Sequence, residues 1–130
     1  MKIINPEALG RPRGYANGLL TPPGVRLLFV AGQIGWDEQQ RLVGEDFVEQ
    51  FERALRNVLA VVAEAGGAPG SVARMVVYVT DKREYAARTA EVGERWRAVM
   101  GRHFPAMALV EVKGLLEDGA KVEIEAIAAL

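Results

Sequence analysis

Three glutamates sit inside apolar, strand-like runs near the end of the chain: Glu111 within residues 104–112, and Glu123 and Glu125 within residues 121–128. Along an extended strand, residues i and i+2 share a face. Glu123 and Glu125 therefore point the same way, and Glu111 shares a face with Met107 and Leu109. The polar stretch 113–120 between the runs reads as the turn of a hairpin, and a hairpin symmetric about Glu117 brings Glu111 close to opposite Glu123. Like charges facing each other destabilise a sheet unless one is protonated, paired or used. A one-residue slip in register separates them again. Carboxylates fixed on strands suit general acid–base chemistry, because burial and a second carboxylate both raise a carboxyl pKa towards values useful at neutral pH. The plainer alternative is that they are solvated edge charges or partners of Lys113, Lys121 or Arg26.

Little else in the chain offers a nucleophile. There is no cysteine, which excludes disulfides, thiolate catalysis and cysteine-based metal sites. Ser71 is the sole serine and precedes a strand beside Gly70, a setting for a turn or cap rather than a nucleophile elbow. His103 is the sole histidine, so neither a histidine-rich metal site nor a local triad can be assembled, and its place before Phe104-Pro105 is that of a loop residue. Gly32 and Gly35 lack a following helix N-terminus and a Lys-Ser/Thr pair, which makes a phosphate cradle a weak reading. No metal or organic cofactor is indicated.

The elements that must hold these residues follow from period. The 130 residues are expected to form a single domain, 1–130, with half the residues apolar and a quarter charged. A net charge of −1 supplies no basic excess for nucleic acid, and no run approaches a membrane span. With no leader visible in the first residues, a cytoplasmic protein is expected. Residues 5–24 are rich in Gly and Pro and read as an irregular arm carrying Tyr15, which suits a ligand-covering role. Residues 26–35 form a nearly continuous apolar strand, with Trp36 just beyond it. Residues 46–65 show helical spacing closed by Gly66-Gly67. Residues 73–80 read as a strand with Met75, Val77 and Val79 on one face. Residues 83–100 read as one second helix, with Tyr85, Thr89, Val92, Trp96 and Val99 as its stripe and Glu84/Arg88 and Glu91/Arg95 as i, i+4 pairs. Two helices on one face of a mixed sheet make a two-layer α+β domain. Val76, Tyr78, Ala108 and Val110 then fall on the other face, apolar enough to demand burial against another copy of the chain.

This order, with several motifs, resembles the RidA/YjgF family (Rid, or L-PSP). The motifs are Gly14-Tyr15; Phe29 to Ile34, similar to a Ser-Gly-Gln strand in the family; Gln50, Leu55, Asn57 and Val58, then Ala65-Gly66; Val77 to Asp81; Phe104-Pro105-Ala106; Val110-Glu111-Val112; and residues 122–128. The resemblance implies a chorismate-mutase-like α+β fold and a homotrimer with small-molecule pockets between neighbouring subunits. Archetypal members hydrolyse the C=N bond of reactive imines and enamines of the 2-iminopropanoate and 2-iminobutanoate kind, releasing ammonia. In them an arginine grips the substrate carboxylate, a glutamate on the last strand positions water, and a tyrosine in the arm closes the pocket.

Carried over, the catalytic glutamate matches Glu123, the tyrosine Tyr15 and the strand glycine Gly32. Three positions depart from the pattern: Met107 stands for the arginine, Leu109 for a cysteine and Ala31 for the serine. With Trp36, these residues are the expected ligand contacts. A thioether cannot replace a bidentate, charge-assisted pair, so small imino acids should be poor substrates; Arg13, Arg26 and Lys113 are candidate substitutes. Two readings stay open: a deaminase-type hydrolase of altered substrate range, or a non-catalytic ligand-binding or regulatory trimer. A ribonuclease is disfavoured by the charge, the single histidine and the missing arginine.

Overall fold

The computed structural model describes residues 1–130. Its elements run β1 (Lys2–Ile4), β2 (Gly18–Leu20), β3 (Leu27–Ile34), α1 (Phe47–Glu64), β4 (Val72–Val79), α2 (Lys82–Ala87), α3 (Thr89–Met100), β5 (Ala106–Glu111) and β6 (Val122–Ala129), with short 3-10 turns at Glu7–Leu9 and Pro69–Ser71. This is the expected α+β architecture, a mixed four-stranded sheet with helices against one face.

Helix α1 has both of its ends written in sequence. Asp46 is the N-cap, accepting a hydrogen bond from the Glu49 amide at 3.1 Å. At the other end Gly67 N–H donates to Val62 O and Gly66 N–H to Ala63 O, with Gly66 at φ 87°, the paired bonds of a Schellman cap. Between them Phe47, Val48, Phe51, Ala54, Leu55, Val58 and Val62 are buried against the sheet. Each large side chain so buried contributes about 1.5–3 kcal/mol. Val92, Trp96 and Met100 of α3 complete the core from the side, with Tyr85 packed against it.

The second helix differs from expectation. It breaks at Arg88 (φ −123°, ψ 22°) into α2 and α3. Residues 86–89 contain no Pro or Gly that would signal a break. The Arg88 guanidinium instead reaches Asp46 and Glu91, each at 2.8 Å. Neither expected i, i+4 pair forms: Glu84 meets Lys121 and Arg95 meets Glu52. Long-range partners outcompete neighbours on a wet helix face, where an exposed pair is worth only a few tenths of a kcal/mol.

Strand order is β3-β6-β4-β5, and this overturns the hairpin. Strand β4 lies between β5 and β6, pairing with β5 in parallel and with β6 antiparallel. Glu111 sits opposite Val79 on the edge strand, and Glu123 sits opposite Tyr78. The two carboxylates are therefore not neighbours; Glu111 accepts the Lys82 amide at 2.9 Å instead. Two strands joined through a helix pair in parallel across a crossover, and the α2–α3 segment between β4 and β5 is that crossover. The arm, too, is more ordered than its composition suggests: β1 and β2 form a ribbon, and Ala16 N–H donates to Pro105 O at 3.0 Å, docking the arm beside the start of β5.

Candidate functional site

Strand alternation sorts the expected site residues onto two faces. Residues paired across neighbouring strands share a face. Met107 pairs with Met75 and Leu109 with Val77, so both lie on the helix side and pack against the core. Glu123 pairs with Tyr78 and Glu125 with Val76, so both carboxylates lie on the open side. Glu123 and Glu125 do share a face. Met107 and Glu123 do not.

On the open face, β3 bulges between Val30 and Gln33, so that Ala31 and Gly32 together oppose Glu125. The bulge presents backbone rather than side chain to β6. A Cβ placed on Gly32 would lie 2.7 Å from Glu123 Cδ and 3.1 Å from its Oε1. The Glu123 carboxylate occupies that space and takes part in no side-chain hydrogen bond or ion pair within the chain. Glu125 is engaged: it accepts the Tyr78 hydroxyl at 2.7 Å. The bond to that carboxylate holds the Tyr78 pKa above its ordinary value, because ionisation would set an anion beside an anion. Tyr78, read from sequence only as surface needing burial, is thus a polar member of this cluster; alternation along β4 gave its face, but its place opposite Glu123 depended on the strand order. Around the cluster the face is mostly apolar, with Phe29 71% and Leu27 55% exposed, and Arg74 is the cation that lines the same cavity as Phe29, Val76 and Glu125.

On the helix face, Met107 and Leu109 form the floor of a groove of about 330 Å³ walled by Phe51, Tyr85, Val92 and Trp96. Its cations are Arg97 and Arg102, not the Arg13, Arg26 or Lys113 suggested by sequence. Tyr15, 41% exposed, lines a second groove of about 650 Å³ under the arm, which shares Gly14, Arg102 and Phe104 with the first. Arg13 lies in that second groove. Trp36 joins neither. It sits in a shallow groove with Gln33, Asp37 and Asn57, and its carbonyl accepts the Asn57 amide at 3.0 Å. The strand end at Ile34 is bound by the same amide, which turns Trp36 towards α1 and away from Met107.

His103 and Ser71 are structural. A carbonyl only accepts, so the 2.6 Å contact of His103 Nε2 with Val72 O puts the proton on Nε2. Ser71 Oγ accepts the Ala68 amide, closing a 3-10 turn.

This chain and its fold have counterparts among known proteins. The Endoribonuclease L-PSP family profile matches residues 14–130. The chain belongs to the Rid family. A RutC family protein of Synechocystis is 36% identical over 132 residues, covering 100% of this chain and 97% of that one. The 2-iminobutanoate/2-iminopropanoate deaminase of Salmonella typhimurium is 36% identical over 105 residues, 78% of each chain. Among solved Rid structures, YyfB of Yersinia pestis superposes with a TM-score of 0.87 at 30% identity, covering 99% of this chain and 98% of that one. E. coli TdcF, solved with bound serine, superposes at 0.71 and 30% identity, covering 100% and 99%. Within the chain, Glu123 and the Met107–Leu109 groove lie on opposite faces of one sheet. No helix here is long and apolar enough to cross a membrane.

Proposed function

We propose that the chain is a Rid-type deaminase that hydrolyses reactive imines or enamines, with each pocket completed between neighbouring copies of a homotrimer. The observation that carries this reading is the Glu123 carboxylate, fixed on a strand over the bare backbone of Gly32 and uncommitted to any partner in its own chain. A carboxylate so placed can orient a water and take its proton as the water attacks an imine carbon. The exposed apolar face around it, Phe29 and Leu27 above all, is surface that a second copy would bury. The Met107–Leu109 groove of the neighbour, with Tyr15 in the adjoining arm groove, supplies the opposing wall. In this divergent branch Met107 takes the arginine's place, which shifts the substrate range away from the smallest imino acids.

One feature favours a second reading. The Met107–Leu109 groove is walled mainly by apolar side chains, as suits a binding protein that holds an apolar ligand without turning it over. Ammonia release from imines generated in situ by amino-acid oxidases separates the two. Acceleration by the wild-type protein that Glu123→Gln abolishes, with folding intact, supports the deaminase. Saturable ligand binding without any turnover supports the binder.

A further inference from the structure

The two grooves that meet at Arg102 differ in chemistry. The arm groove is lined by Arg11, Arg13 and Arg102 and by no carboxylate. None of these three guanidiniums takes part in an ion pair; the same is true of Arg26, Arg41, Arg74, Arg83 and Arg97, but Arg11, Arg13 and Arg102 share one groove. Three unpaired cations gathered in one concavity repel each other, and an anion relieves that repulsion. The clustering is local, since the whole chain carries a net charge of −1. Arg102 and Phe104 also wall the adjoining groove, whose floor is Met107 and Leu109. The Phe104 ring stacks on Trp96 at 6.1 Å and 4° between planes, and the Trp96 indole donates to His103 O at 3.1 Å, so the segment that carries Arg102 is braced on α3.

Resting on the deaminase reading, we propose that Arg102, assisted by Arg13, takes the carboxylate in place of the arginine lost at Met107, and that the substrates are 2-imino acids with bulky apolar side chains. Moving the cation from the floor to the rim frees the floor for hydrocarbon. The carboxylate then lies at the arm groove and the side chain over Met107 and Leu109. A small imino acid anchored at the rim would leave that floor unfilled.

The test uses the full-length protein with two probes. Phenylpyruvate, the keto acid that hydrolysis of the phenylalanine-derived imine would release, is titrated beside its uncharged analogue phenylacetone. Ammonia release is followed for imines generated from phenylalanine and from alanine. The expected result is that phenylpyruvate binds roughly tenfold or more tightly than phenylacetone. Arg102→Gln should raise both its Kd and the KM for the phenylalanine imine by roughly tenfold or more. Arg13→Gln should do so to a smaller degree, and Arg83→Gln, outside both grooves, should do nothing. Turnover with KM and Kd unmoved by Arg102→Gln and Arg13→Gln overturns the inference and leaves the deaminase standing. Binding of phenylpyruvate through Arg102 with no imine turned over supports the anion site and overturns the deaminase. A preference for phenylacetone, or for the alanine imine, overturns the inference.

Discussion

The carboxylate of Glu123 fills the space that a side chain on Gly32 would need, with a Cβ there only 2.7 Å from Glu123 Cδ. The clash is with the far end of a flexible side chain, and Gly32 has an ordinary backbone conformation, so Gly32→Ala moves the carboxylate rather than the fold. Its thermal midpoint should stay near the parent's or rise slightly, as removing a glycine stiffens the unfolded chain by about 0.4–1 kcal/mol. Imine hydrolysis should fall by roughly tenfold or more, approaching Glu123→Gln. Full activity in Gly32→Ala would show that the position of this carboxylate does not matter.

Gly35 makes a harder demand three residues on. A Cβ there would stand 2.6 Å from Gln50 Cα and 2.7 Å from Gln50 O, both backbone atoms. Strand β3 and helix α1 touch at this point, and neither can yield by a rotamer change. Gly35→Ala should therefore destabilise by about 1–3 kcal/mol, in contrast to Gly32→Ala. Denaturant midpoints of the two alanine variants, measured side by side, give the comparison; equal stabilities would contradict it.

Gln50 itself is fully buried and fully used. Its amide donates to Gly44 O at 2.8 Å and Gly119 O at 3.0 Å, and its carbonyl accepts the Lys121 amide at 2.9 Å. It ties two loops to α1, one of them leading directly into the strand that carries Glu123. Gln50→Leu leaves three backbone groups without partners, and each such loss costs about 1–3 kcal/mol. A loss of at least 3 kcal/mol in chemical denaturation is expected, together with faster amide exchange around residues 119–121; a near-neutral result would mean the loops find other partners.

Arg88 sets a pH dependence. Its guanidinium, hydrogen-bonded to both Asp46 and Glu91, holds the two carboxyls below their ordinary values of 3.8 and 4.5. A depressed folded-state pKa means that the unfolded chain binds more protons in this range. The stabilisation is therefore complete above those ordinary values and disappears as pH falls through the depressed ones. Arg88→Met should be less stable than the parent at pH 7, with the gap closing as pH falls below the two carboxyls' ordinary values of 3.8 and 4.5 and through their depressed ones. Unfolding midpoints over that range test it. A gap that persists in strong acid would assign the loss to packing instead.

The open sheet face carries the trimer proposal. Phe29 is 71% exposed in the single chain and lies among apolar neighbours, so a charge there should block association while leaving the core untouched. Light scattering of the parent should return three times the 14.1 kDa chain mass. Phe29→Asp should return the monomer, with unchanged circular dichroism and lost imine hydrolysis. A parent that is itself monomeric would remove the shared pocket.

What the sequence determined by itself is local in origin. The burial stripe and caps of α1, the alternating faces of β4, the shared face of Glu123 and Glu125 and the family motifs all follow from period and from neighbours within a few residues. Strand order does not. Placing β4 between β5 and β6 depends on a crossover through α2 and α3, and that separated Glu111 from Glu123 where a local hairpin would have joined them. Which face Met107 shares, which cations reach it and where Trp36 turns were likewise decided by packing between segments distant in the chain. The break at Arg88 belongs to the same class, since its partner Asp46 caps a different helix. Side-chain period is fixed by the backbone of each element, whereas pairing and register are fixed only when the elements bury their apolar faces together.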